Sequence, residues 1–241
     1  MPEQGSPSTP VLEVKDLHAW YGESHVLHGV DLEVRAGETV ALLGRNGAGK
    51  TTTLKSIMGM VERKGTVRFE GKDLSSAPPE VVARAGIAIC PEERGIFASL
   101  DVEENLQLPP VVRPGGLPME ALFELFPNLR ERLKSPGTKL SGGEQQMLAI
   151  ARILRTGARF LLLDEPNEGL APVIVEQIRR TIERLKKDGF TIVLVEQNLR
   201  FAAAVADRHY VIERGRVVDQ VTAAELAQAQ GRERIRSYLG V

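Results

Sequence analysis

The chain has 241 residues, of which 42% are hydrophobic and 26% charged, with a formal net charge of −1 and a single cysteine, Cys90. That length accommodates one α/β domain with a full core and room for an inserted subdomain. The balanced charge supplies no global basic field for nucleic acid, and one cysteine excludes an intrachain disulfide framework and suits a reducing compartment.

Residues 1–10, Met1-Pro2-Glu3-Gln4-Gly5-Ser6-Pro7-Ser8-Thr9-Pro10, lack the basic and apolar regions of a secretory signal and read as a short disordered tail. Residues 11–241 read as a single domain, and no stretch in it reaches the roughly 18 uncharged apolar residues that span a bilayer. Val11-Leu12-Glu13-Val14 and Val30-Asp31-Leu32-Glu33-Val34 alternate apolar with polar, which predicts half-buried antiparallel strands.

The apolar run Thr39-Val40-Ala41-Leu42-Leu43 then leads into Gly44-Arg45-Asn46-Gly47-Ala48-Gly49-Lys50-Thr51, followed by the helix-compatible Thr52-Thr53-Leu54-Lys55-Ser56-Ile57-Met58. This is a G-x-x-x-x-G-K-[ST] phosphate loop with a strand before it and a helix after it. Its glycines let successive backbone N–H groups turn inward onto phosphate oxygens, at a helix end that carries partial positive charge. Lys50 supplies a mobile cation for the terminal phosphates of ATP, and the Thr51 hydroxyl is placed to ligate Mg²⁺. Residues 44–52, with Thr52 opening the helix, are the candidate phosphate contacts.

Gly65-Thr66-Val67-Arg68-Phe69 with Glu70-Gly71-Lys72 reads as another exposed strand and turn, so an antiparallel β layer flanks the phosphate-loop strand. From about residue 78 to 139 the chain is richer in proline and helix signals. Asp101-Val102-Glu103-Glu104 has an N-cap acid with Glu three residues on, and residues 117–126 form an amphipathic pattern. We read residues 99–155 as a helical subdomain inserted into the α/β core. Within it, Leu140-Ser141-Gly142-Gly143-Glu144 precedes a strongly periodic helix. Ser-Gly-Gly at a helix amino end is an anion site, although Ser141 is equally a good N-cap for a core helix.

The continuous apolar runs Phe160-Leu161-Leu162-Leu163 and Thr191-Ile192-Val193-Leu194-Val195 indicate strands buried on both faces of a parallel sheet, joined by a helix over residues 173–187. The first run ends in Asp164, which the strand-end rule for α/β sheets puts within reach of Mg²⁺ held by Thr51. Glu165 follows, where a carboxylate can orient and deprotonate attacking water. Residues 210–218 read as a terminal hairpin and residues 223–239 as a charged helical tail with a solvated face. The four histidines, His18, His25, His28 and His209, show no metal-ligand spacing, and Cys90 reads as a buried structural thiol. The expected architecture is α/β: a phosphate-loop NTPase with a parallel core sheet, a flanking antiparallel layer and an inserted helical subdomain.

With the phosphate loop, Leu140-Ser141-Gly142-Gly143-Glu144-Gln145 and Phe160–Glu165 in this order, the sequence resembles the ATP-binding-cassette (ABC) ATPases over nearly its whole length. The resemblance implies a RecA-like core, and pairing of two cassettes head to tail with two ATP molecules buried between phosphate loop and opposing signature, here residues 140–144. It implies that Tyr21, before Gly22, stacks on adenine, with Trp20 as the competitor for that role. Two positions depart from the common family pattern. Glu92 stands where a Gln is usual and could approach Mg²⁺ through water; Gln197 stands where a switch His is usual, able to donate to the γ-phosphate but not to titrate.

Further stretches, Pro91-Glu92, Gly95-Ile96-Phe97, Val102-Glu103-Glu104-Asn105-Leu106, Gly169-Leu170-Ala171-Pro172 and Leu194-Val195-Glu196-Gln197-Asn198, resemble the second ATPase subunit of branched-chain amino-acid importers, the LivF type. Asn167-Glu168 differs from that branch and resembles the urea- and amide-importer subunits. By resemblance the chain would be a peripheral ATPase at the cytoplasmic face of the membrane. Its partners would be a second ABC ATPase subunit, either a copy of this chain or a sister ATPase, two permease subunits contacted through residues 92–106, and indirectly an extracytoplasmic solute-binding protein. Two other functional classes fit the sequence less well. A soluble ABC ATPase acting on DNA or ribosomes would carry a second cassette, coiled-coil or basic insertions, none of which is present, and a scaffold without turnover conflicts with an intact Glu165.

Overall fold

Alternation near the amino end builds β1 (Leu12–Tyr21) and β2 (Ser24–Val34), an antiparallel hairpin in which Leu12, Val14, Leu17 and Ala19 point inward. The structure is a computed structural model that describes residues 9–240, so the expected disordered tail lies outside the described residues apart from Thr9 and Pro10. β1 runs seven residues past the end that alternation predicts. Asp16 takes a left-handed φ of 47° and the register shifts between Val14 and Leu17, a bulge that breaks the pattern while the strand continues.

β3 (Thr39–Leu43) and α1 (Lys50–Ile57) follow, then β4 (Glu62–Phe69), β5 (Lys72–Asp73), α2 (Pro79–Arg84) and β6 (Ile87–Cys90). β6 lies before the helical subdomain, in a stretch for which the sequence predicts no strand; four apolar residues between Gly86 and Pro91 are too few to display a period. Up to the next strand the chain is helical: α3 (Val102–Gln107), α4 (Met119–Leu125), α5 (Pro127–Glu131), a short 3₁₀ turn, and α6 (Gly142–Arg155). The remainder is β7 (Phe160–Asp164), α7 (Pro172–Lys187), β8 (Thr191–Glu196), α8 (Leu199–Val205), β9 (Arg208–Glu213), β10 (Arg216–Thr222), α9 (Ala223–Ala227) and α10 (Ala229–Leu239).

Two sheets result. One is antiparallel in the order β2-β1-β4-β5; the other runs β10-β9-β3-β8-β7-β6 and is parallel except for its β9–β10 edge. β3, β7 and β8 are buried at every position, which is why their sequences do not alternate. Their two faces serve different cores. Phe160, Leu162, Val193 and Val195 meet α1 and the antiparallel sheet, while Leu161, Leu163, Ile192 and Leu194 meet α6 and α7. A third, smaller cluster joins Ala41, Leu43 and Val211 to Ile235 and Leu239, so the charged tail buries an apolar edge on β9 and β3.

This packing sets up the site. The carboxyl ends of β3, β7 and β8 come together, and the phosphate loop, Glu165 and Gln197 leave the sheet at that edge. α1 is anchored at its far end by Arg63, whose guanidinium donates to Ser56 O and Ile57 O in its last turn and to Leu74 O and Ala77 O beyond β5.

Candidate active site

Gly49 takes a φ of 108° to turn the phosphate loop into α1, and a Cβ there would stand 2.8 Å from Leu27 Cδ2. Gly44 leaves β3 so close to β9 that a Cβ would come within 2.4 Å of Ile212 O. Only glycine fits either place. The turn buries Lys50, whose Nζ donates to Gly44 O at 2.9 Å and Arg45 O at 3.2 Å and faces Glu165 Oε1 at 3.3 Å. One residue on, Thr51 Oγ1 donates to Asp164 Oδ1 at 3.0 Å.

Glu165 leaves β7 with a left-handed φ of 44°, and its N–H donates to Val195 O at 3.1 Å. That backbone bond turns the carboxylate away from the sheet, where Gln197 Nε2 donates to Glu165 Oε2 at 2.6 Å. Asn46, Gly47, Lys50, Thr51, Thr52, Glu92, Glu165 and Gln197 line one open cleft of about 460 Å³, with Glu168 at its rim.

Carboxylates crowd this cleft and its floor. Burial pushes Asp164 up to about 6, helped by the charges of Glu92 and Glu165 and opposed by the Thr51 hydroxyl. Glu168 is raised by burial first, then by Glu165 and Glu92. Glu196, the last residue of β8, is pushed up to about 8, chiefly by burial and further by Glu165, against the pull of backbone N–H groups and Lys50. Its Oε2 accepts from Asn198 N–H at 3.2 Å while Oε1 has no partner. A cation arriving with phosphate would relieve this repulsion. The donors at Thr51 and Asp164 are hard oxygens, one hydroxyl and one carboxylate, a set that fits Mg²⁺, which takes few protein ligands and completes its shell with water and phosphate.

Other residues expected at the site lie elsewhere. Tyr21 sits at the end of β1 beside the hairpin turn and is 46% exposed, whereas Trp20 is stacked on His25, ring centroids 4.5 Å apart at 9°, with Lys64 over its face. Of the two aromatics, Tyr21 is the more exposed. Residues 140–144 do not line the cleft. Leu140 is buried in the helical core, and Ser141 caps α6, accepting from Glu144 N–H at 3.3 Å while Glu144 Oε2 accepts from Ser141 N–H at 2.7 Å. The Glu144 carboxylate is thus engaged in the cap and faces Arg132 Nε at 3.3 Å. Gly142 and Gly143 pack close, the latter with Ile174 side-chain atoms 2.9–3.1 Å from where a Cβ would stand.

Glu196 is the residue that reading the sequence passes over. The signal was available, since an acid ending an otherwise apolar strand buried on both faces has little water to reach.

The family profile described as ABC transporter matches residues 27–168. The high-affinity branched-chain amino acid transport ATP-binding protein BraG of Pseudomonas aeruginosa is 44% identical over 226 residues, 90% of this chain and 94% of that protein. The probable branched-chain amino acid transport ATP-binding protein LivF of Archaeoglobus fulgidus is 38% identical, covering 93% and 98%. The lipopolysaccharide export system ATP-binding protein LptB of Escherichia coli K12 is 36% identical, covering 95% and 97%. Among solved structures, an ATP-binding subunit of an ABC transporter superposes with a TM-score of 0.79 at 30% identity, covering 96% of this chain and 100% of that one.

Proposed function

The chain belongs to the ABC transporter family as a nucleotide-binding, ATP-hydrolysing subunit, and from that premise we propose that it energises uptake of branched-chain amino acids. The observation that carries the catalytic assignment is the position of Glu165, 3.3 Å from Lys50 and 2.6 Å from Gln197 at the mouth of the phosphate loop. Phosphate displaces Glu165 from Lys50, and Lys50 turns from the carbonyls of Gly44 and Arg45 to the terminal phosphates. Glu165, still held by Gln197, then orients water and accepts its proton. Thr51 and Asp164 would hold Mg²⁺, with Glu92 approaching it through water, and the ion when bound would supply positive charge against the phosphates. Tyr21 stacks on the adenine.

Leu140, Ser141, Gly142, Gly143 and Glu144, remote from this cleft, serve the nucleotide of a second cassette paired head to tail. ATP favours the closed pair and hydrolysis resets it. Residues 92–106 contact the permease. In support, Phe97 is about half exposed and carries Arg152 over its ring, beside a groove of about 210 Å³ between Pro91 and α6. Among the described residues no helix is long and apolar enough to cross a membrane, and we place the subunit at the cytoplasmic face of its permease, with an extracytoplasmic binding protein delivering solute.

The solute assignment rests on the identity to BraG and LivF across nearly the whole chain. Asn167-Glu168 favours a second reading, a urea or amide importer with the same mechanism. Uptake of radiolabelled leucine and urea in a deletion strain tests both. Loss of leucine uptake, restored by the wild-type chain but not by Glu165→Gln, is the expected result; loss of urea uptake alone moves the solute, and no change in either refutes both assignments.

A further inference from the structure

Arg94 stands at two disadvantages that the fold alone does not require. It is a non-glycine residue at a φ of 64°, in a turn closed by its N–H on Pro91 O at 2.9 Å, a conformation that L-residues avoid. Its guanidinium also lies against the amino end of α6. Two of its nitrogens are 3.3 and 3.5 Å from where a Cβ on Gly142 would stand. A cation at the positive end of a helix is unfavourable unless an anion joins it.

The contacts say what the position achieves. Arg94 Nη1 donates to Gln145 Oε1 at 3.2 Å, and Gln145 Nε2 donates to Leu140 O at 3.2 Å and Gly137 O at 3.4 Å. One guanidinium therefore holds, through one amide, the backbone that leads into Ser141 and Gly142. The same turn, two residues earlier, carries Glu92 in the phosphate cleft. Strain and misplaced charge that persist together point to function rather than stability.

We infer that Arg94 is a positioning residue for ATP hydrolysis: it ties the Glu92 turn to the signature turn and adds positive charge where that turn receives the terminal phosphate of the second cassette's nucleotide. The inference rests on the head-to-tail pairing proposed above and adds to it a link between the two nucleotide sites of the pair. Phosphate at one site, felt by Glu92, changes how Arg94 presents the signature turn to the other.

The test is ATP-driven self-association of the full chain by sedimentation velocity in a Glu165→Gln background, with and without Arg94→Gly or Arg94→Lys, and with thermal melting of each nucleotide-free variant. Arg94→Gly should weaken the ATP-bound dimer about ten- to a hundredfold, the size of a hydrogen bond to a charged group, without lowering the melting temperature, since glycine relieves both the backbone and the charge. Arg94→Lys, which keeps the charge, should recover part of the loss. Dimerisation unchanged by Arg94→Gly, or weakened only in step with a lower melting temperature, overturns the inference. Failure of the Glu165→Gln chain itself to dimerise would instead refute pairing of two copies of this chain, on which the inference rests.

Discussion

Replacing Glu196 by Gln should make the protein more stable at alkaline pH and slightly less stable at acid pH. Glu196 is 2% exposed at the end of the central strand β8, and its carboxyl titrates at about 8 rather than the ordinary 4.5. A pKa raised on folding contributes stability that is complete below 4.5 and is lost as pH climbs through 8. At about 1.4 kcal/mol per unit, a rigid site would lose about 5 kcal/mol over that span; relaxation around the buried charge and the nearby Lys50 bring this to about 2–4 kcal/mol. Gln keeps the shape and can still accept from Asn198 N–H, but it sets an NH₂ where Oε1 has no partner, which costs about 1 kcal/mol. The difference between variant and wild type should therefore start near −1 kcal/mol at pH 5 and turn positive by about 1–3 kcal/mol at pH 8.5. Urea unfolding of both chains without nucleotide, at half-unit pH steps, measures it. A difference that stays constant from pH 5 to 9 would refute the reasoning, because only titration of Glu196 makes it slope.

Lys50→Ala should weaken ATP binding by about 100-fold or more, the size expected when a charge-assisted phosphate contact is lost, and isothermal titration with unchanged affinity would contradict the phosphate-loop assignment. Arg63→Ala should cost about 2–3 kcal/mol in urea unfolding, since it strips donors from four carbonyls at the end of α1 and beside β5; a shift under about 0.5 kcal/mol would mean that water replaces it. Cys90 is fully buried with its thiol pushed up to about 12 by desolvation, so at pH 8 it should react with a thiol reagent only at the rate of unfolding; labelling as fast as a free peptide cysteine would contradict the packing of β6 on α6.

Legibility followed the range of the interactions. β7 and β8 could be read because an apolar run without alternation has one physical meaning, burial on both faces, and the strand-end rule then brings Asp164 to 3.0 Å from Thr51 across 113 residues of sequence. The capping box at Asp101 and Glu104 is local and equally legible. β6 and the extension of β1 were not, since one is too short for a period and the other is interrupted by a bulge at Asp16. The contacts of Arg94 with Gln145 depend on how helices pack over the sheet. No local pattern encodes them.

The account turns on Glu165 limiting turnover while leaving ATP-driven closure intact. Phosphate release and sedimentation should be measured on one preparation of Glu165→Gln with Mg²⁺ and ATP. Turnover at least about 100-fold below wild type, together with a dimer that forms in ATP and dissociates in ADP, is the predicted result. Steady-state hydrolysis at the wild-type rate would contradict it, and a chain monomeric in ATP at every concentration would contradict pairing of two copies of this chain.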